Sequence, residues 1–196
     1  MITENNIFQH GMLINLKITS YQGRKKLDKD QLKDLPDEIV RGVHDLFDKE
    51  FKSVLQAIWK YDGETRDYVK GQSVPFPIDG VYFINSNRIE KVVSYLETRR
   101  EERQAMISNA ASEYNEAIER FAAKYPEFYR RARNKYPTKQ AFIARFQMRY
   151  QFIKMSAPSE DDPFITPEMY QTELRKFRDT IAEMKSEVVA TIYQEL

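Results

Sequence analysis

The chain has 196 residues, with 31 Lys and Arg against 30 Asp and Glu, no cysteine and two histidines. A balanced charge gives no whole-molecule argument for nucleic acid or an anionic membrane, and the lack of cysteine excludes disulfides, thiolate-held zinc, iron–sulfur clusters and thiol chemistry. The opening MITENNIFQHGMLINL has neither a basic start nor a long apolar core, and no apolar run nears the ~18 residues of a membrane span, so a cytoplasmic chain without a membrane segment is expected.

The first predicted element is a strand over 11–20, GMLINLKITS, whose alternation puts Met12, Ile14, Leu16 and Ile18 on one buried face. YQGRKKL at 21–27 follows it, a turn glycine ahead of Arg24, Lys25 and Lys26. A phosphate loop delivers backbone N–H groups from several glycines into a helix start, so one glycine before three cations predicts a charged turn instead. From Asp37 to about Tyr61, Val40, Val43, Phe47, Phe51, Val54 and Ile58 recur every three or four residues, with Leu46, Leu55 and Trp59 widening the stripe. This predicts a core-facing helix that breaks at Asp62-Gly63. Val81-Tyr82-Phe83-Ile84, after the turn signal Asp79-Gly80, predicts a second strand.

Asn87 with Glu90 resembles a capping box and opens the longest predicted helix, which ends near Lys124 before Pro126. At 1.5 Å per residue it would span about 57 Å. Its stripe runs Ile89, Val93, Leu96, Arg100, Arg103, Ile107, Ala110, Tyr114, Ala117 or Ile118, and Phe121, and residues 97–104 form a waist without a large apolar side chain. Short elements are predicted at 126–134 and 138–145, and a third strand at 146–154, with Phe146, Met148, Tyr150 and Phe152 on one face. After an acidic connector, Thr166 and Pro167 open a last helix as N-cap and first residue. Its seam, Tyr170, Leu174, Phe177, Ile181, Met184, Val188 and Ile192, suits a coiled-coil partner, most simply the long helix packed antiparallel. The pattern is still running at Leu196 with no C-cap glycine, so the expectation is either a chain that stops abruptly there or a helix that continues beyond it.

Chemistry-bearing motifs are sparse. No nucleotide-binding glycine pattern, G-x-S-x-G or H-E-x-x-H occurs. His44 and Asp48, four apart on the predicted helix, suit a shared metal, an acid–base pair or an ordinary surface hydrogen bond. Glu160-Asp161-Asp162 lacks the spaced ligands and glycine of an EF-hand and reads as a solvated linker rather than a cation site. Glu101 and Glu102 beside Arg99, Arg100 and Arg103 read as ion pairs lacing a helix face. No catalytic, metal-binding or cofactor-binding residue is assigned.

Charge segregation is the strongest regional signal. Residues 124–154 hold nine cations against Glu127 alone, whereas 155–196 hold four cations against nine acids. Tyr125, Phe128, Tyr129, Tyr136, Phe142, Phe146, Tyr150 and Phe152 interleave with those cations, a pattern that serves phosphates and stacked bases if open, or a core with a charged outside if not.

The order of features also resembles a known family. Gly23-Arg24-Lys25-Lys26 follows the first strand, Val74-Pro-Phe-Pro77 precedes Gly80-Val-Tyr-Phe-Ile84, and the pairs Tyr125-Pro126 and Tyr136-Pro137 lead to Ala144-Arg-Phe-Gln-Met-Arg-Tyr150. Over about residues 10–160 this is similar to the bacterial and phage family named domain of unknown function 3150. The resemblance implies no catalytic residues. It implies an accessory or adaptor role beside MoxR-type AAA+ ATPases and von Willebrand A-domain proteins.

These readings predict a mostly helical α+β protein. Its core of 1–86 with 125–156 carries a small antiparallel sheet of about three strands packed on the helix 37–61, and a protruding helical hairpin or coiled coil is built from 87–124 and 167–196. The leading functional expectation is a non-enzymatic interaction or assembly protein that binds a protein partner or a second copy through Leu174, Phe177, Ile181, Met184, Val188 and Ile192. The alternative is a nucleic-acid or acidic-partner patch of Arg24, Lys25, Lys26, Arg130, Arg131, Arg133, Lys135, Lys139 and Arg149. An enzyme would need carboxylates converging from distant segments.

Overall fold

The computed structural model describes residues 11–26, 43–154, 159–161 and 163–194. Its elements are β1 (Gly11–Thr19), β2 (Arg24–Lys26), β3 (Val43–Asp45), α1 (Lys49–Gly71), β4 (Val74–Pro75), β5 (Val81–Asn85), α2 (Ser86–Lys124), α3 (Pro126–Ala132), a 3-10 turn (Arg133–Lys135), α4 (Lys139–Ile143), β6 (Gln147–Ile153) and α5 (Pro167–Gln194). The fold is α+β and predominantly helical, with a small four-stranded antiparallel sheet. The described residues divide into two compact units, one drawn from Met1–Lys17, Thr65–Leu96 and Arg149–Leu196, the other from Ile18–Glu64 and Glu97–Met148. No helix among them is long and apolar enough to cross a membrane.

The first unit is built on the sheet, in the order β4-β5-β1-β6. β1 pairs antiparallel with β5, Leu13 opposite Phe83, and β5 with β4, Val74 opposite Phe83. Pro75 and Pro77 suit this edge, because a proline has no N–H to give a ladder. Gly80 turns the chain with φ +74°, a conformation that costs an L side chain, and its carbonyl accepts from Leu16 N at 3.1 Å. Leu13, Phe76, Val81 and Phe83 pack with Ile181 and Met184 of α5, and Val74, Ile153 and Phe177 border the cluster.

The alternation expected of β1 holds for Ile14, Leu16 and Ile18, which are buried, while Met12 at the strand end is exposed. Leu13 on the opposite face is buried as well. Both faces of the sheet are therefore covered, and a strand covered on both faces loses the clean alternation of a half-exposed one.

The second unit has an aromatic core. Tyr21, Phe47, Phe51, Tyr114, Phe121, Phe128, Phe142 and Phe146 gather there with Leu46, Leu55, Ile58, Ile107 and four alanines. Tyr114 stacks on Phe142 at 4.4 Å between centroids, and Phe47 meets Tyr136 edge-on at 5.6 Å. Such pairs add roughly 0.5–1.5 kcal/mol beyond the area they bury. Gly23, at φ +62°, sits where a Cβ would lie 2.8 Å from Leu55 Cδ1, and its carbonyl accepts from Leu46 N at 2.9 Å as β2 pairs with β3.

Three local expectations are corrected. The helix expected from Asp37 to Tyr61 begins at Lys49: 43–45 are strand, and Val40 lies outside the described residues. Asp48 is its N-cap, its Oδ1 accepting from Phe51 N at 2.8 Å. The helix also runs through Asp62-Gly63 to Gly71, because Asp62 has a buried partner and Gly63 needs no left-handed backbone. The long helix is present as expected, but Asn85 rather than Asn87 caps it, through Asn85 Oδ1 and Asn87 N at 3.2 Å. Thr166 does cap α5, with Met169 N to Thr166 Oγ1 at 3.3 Å.

Candidate interaction surfaces

The waist of α2 encloses charge. The buried positions of α1 run Phe51, Leu55, Ile58, Asp62, Thr65, Val69, and those of α2 run Val92, Leu96, Arg103, Ile107, Ala110, Ala111, Tyr114, Ala117, Phe121. Each stripe thus carries one charged residue at a core position, and the two meet. Arg103 Nε donates to Asp62 Oδ1 at 2.6 Å, and its Nη2 donates to Asp62 Oδ2 at 3.2 Å, Thr19 O at 2.9 Å and Ser20 Oγ at 3.3 Å. Ser20 Oγ also donates to Asp62 Oδ2. Arg103 is 3% exposed and Asp62 2%. Beside them Arg99 lies over the Tyr61 ring, 3.2 Å from its centroid, and donates to Tyr61 O and Glu64, while Tyr61 donates to Glu102. Arg100 stays on its own helix with Glu97. Both Asp62 oxygens and the Arg103 Nε and Nη2 are thus satisfied by protein groups, as a buried ion pair requires. The sequence reading of the waist as ion pairs lacing a helix face did not include Asp62; the available signal was an Arg and an Asp each falling on a largely apolar seven-residue rhythm.

His44 and Asp48 do not share a helix: His44 is in β3, and the Asp48 carboxylate takes Phe51 N and, at 2.9 Å, Arg120 Nε. Partial burial pulls the Asp48 carboxyl up, but the Arg120 and backbone hydrogen bonds outweigh it and hold it below its usual value. Asp45 is lowered in the same way, burial being outweighed by Lys52 and Arg24. Arg24 therefore spends its charge on Asp45 at 2.9 Å, and the side chains of Lys25 and Lys26 lie outside the described residues. Tyr21 and Tyr114 are buried in the core, and Tyr136 is half-buried against it. Burial pushes Tyr21 up to about 12 against the pull of Arg145, and burial and then Tyr21 raise the other two. Tyr114 donates to Pro137 O and Tyr136 to Leu46 O. Among the described residues no three His, Asp or Glu side chains gather as a metal would need.

The basic segment separates in space into an inside and an outside. Phe128, Ala132, Phe142 and Phe146 point into the aromatic core with Tyr136 packed against it. Lys124, Arg130, Arg133, Lys139 and Arg145 are exposed, and Arg131 and Lys135 half-buried. Arg130 pairs with Glu127 at 2.7 Å, both well exposed, and holds that carboxyl below its usual value. Arg149 is exposed on β6, in the unit that holds the sheet.

The seam of α5 is used within its own unit: Ile181 and Met184 are buried on the sheet, Phe177 borders them, and Leu174 is half-buried. The side chains of Val188 and Ile192 lie outside the described residues. A sheet face of Leu13, Val81 and Phe83 offers the flat apolar surface that the seam was expected to find on the long helix. At the head of the same helix the apolar surface faces outward, Phe164 being 89% and Met169 51% exposed.

The sequence model of the family described as protein of unknown function (DUF3150) matches residues 8–196. The chain belongs to that family. No curated protein and no solved structure matches it. Membership brings no activity to this DUF3150 chain, so any function rests on the surfaces just described.

Proposed function

We propose that this DUF3150 protein is a non-enzymatic interaction or assembly protein that docks a protein partner at the head of α5. The observation that carries the reading is the contrast between the middle of α5 and its first turn with the residues that lead into it. Ile181 and Met184 fasten α5 to the sheet, while Phe164 and Met169 turn large apolar side chains to solvent. Acids surround that head: Glu160, Asp161, Glu168 and Glu173 lie within or beside it. Exposed aromatic and methionine side chains flanked mainly by acids, with Glu173 paired to Lys176 at 2.6 Å, suit a protein interface with an apolar anchor at its centre and charges that steer a basic partner. The family resemblance supports an ATPase of the MoxR type as that partner, and a second copy of the chain is the other occupant weighed here.

The test pairs light scattering with calorimetric titration of an ATPase of that type encoded beside the gene. Phe164→Ser with Met169→Ser should weaken the complex, or the self-association, at least tenfold while leaving the thermal transition in place. Equal association by the double variant would overturn the proposal.

A further inference from the structure

The basic segment carries a second surface of different chemistry. From Lys124 to Phe146 the chain is pinned inward at Phe128, Ala132, Tyr136, Phe142 and Phe146, and the cations fall before and between the pins. Tyr136 is further tied by its hydroxyl to Leu46 O at 2.6 Å, and Thr138 caps α4 through Ala141 N at 3.2 Å, so the segment is held at several points. Lys124, Arg133, Lys139 and Arg145 are exposed, and Arg130 is exposed with a surface pair that solvent weakens. Lys124 lies 5.4 Å from the Tyr125 ring and Arg145 5.1 Å from the Tyr21 ring, contacts that leave both charges uncancelled.

The kind of partner follows from what this face lacks. Its most exposed large apolar side chains are Tyr125 at 38% and Ile143 at 36%, so it offers little of the anchor a protein interface needs. Of the aromatics that would stack unpaired bases, Phe128, Phe142 and Phe146 are in the core, Tyr129 and Tyr136 are half-buried and Tyr125 alone is exposed, so no run of rings is offered to a single strand. Fixed exposed cations with a single exposed ring among them match a ligand that presents phosphate rather than unstacked bases. We propose that Lys124, Arg133, Lys139 and Arg145 form a sequence-independent contact with the phosphodiester backbone of duplex nucleic acid. Counterion release then drives association, with a salt slope of about −0.9 per phosphate neutralised.

The test is fluorescence anisotropy of the whole chain with a labelled DNA duplex of random sequence, a single strand of equal length, and labelled polyglutamate, between about 50 and 200 mM salt. Four contacts predict that duplex affinity falls roughly a hundredfold over that range. Arg133→Gln with Lys139→Gln should reduce the fall to about tenfold. Arg175→Gln with Lys176→Gln, on the exposed side of α5, should leave it unchanged, and circular dichroism confirms that each variant is folded. Tighter binding of the single strand, equal binding of polyglutamate, no measurable duplex binding at low salt, or an unaltered salt slope in the Arg133/Lys139 variant would each overturn the proposal.

Discussion

The outer face of residues 124–145 and the head of α5 are both exposed, yet they are made in opposite ways. In the first, the aromatics are withdrawn into a core and the cations remain outside. In the second, the aliphatics further along the helix are withdrawn onto a sheet, and an aromatic and a methionine remain outside among acids. The lesson is that interleaved charge and apolar residues in a sequence do not define a surface; which of them the core consumes does.

That comparison can be broken at the supports beneath each face. The largest effect is expected at the waist of α2, within the unit that carries the basic face. Asp62→Ala strands the Arg103 guanidinium in a buried setting and should cost about 3–5 kcal/mol by urea denaturation. Asp62→Leu with Arg103→Met, which removes both charges, should recover most of that loss. If the single variant cost under about 1 kcal/mol, the node would be solvated rather than buried. Next comes the contrast along α5. Ile181→Ala should cost about 2–4 kcal/mol through loss of packing on the sheet, whereas Phe164→Ser should stay within about 0.5 kcal/mol. Equal effects at the two positions would erase the distinction between anchor and head.

Acid and alkali probe the unit of the basic face on two sides. Asp45 and Asp48 have lowered folded values, so their contribution is present above the unfolded value near pH 4 and is lost as pH falls through the folded values. Asp48→Asn should keep the cap and flatten that acid limb. The raised tyrosines work the other way: their contribution is intact below the unfolded value near pH 10 and declines as pH rises, toward about 12 for Tyr21. Tyrosinate absorbance should therefore appear in two steps, the second coinciding with unfolding. The smallest expected effect is a gain. A Cβ at Gly63 meets nothing within 4 Å, so Gly63→Ala should stabilise by roughly 0.5–1 kcal/mol.

Much of this fold was legible in the sequence, because strand and helix periods are local. β1 and β6 lie where alternation put them, β5 where its β-formers and the Asp79-Gly80 turn signal did, and α2 covers the stretch its stripe marked out, since turns, capping and apolar spacing act over a few residues. The start of α1 was misread because Val43, Phe47 and Phe51 keep a helical rhythm across a strand and a cap. The partner of the α5 seam was equally hidden, since Ile181 and Met184 suit a sheet as well as a helix. The node at Asp62 and Arg103 could have been found by asking why a charge occupies a core position. Which aromatics of 124–154 turn inward is fixed by the distant residues Tyr21, Phe47 and Tyr114, and no local pattern reports that.

Photo-cross-linking tests the two faces side by side. A benzophenone amino acid placed singly at positions 164, 169, 133 and 139 is irradiated in cells, and the adducts are sorted by nuclease and protease sensitivity. The account predicts a discrete protein adduct from Phe164 and Met169, identified by mass spectrometry as an ATPase or a second copy, and nuclease-sensitive adducts from Arg133 and Lys139. No protein adduct at positions 164 and 169, or the same protein adduct from all four positions, would contradict it.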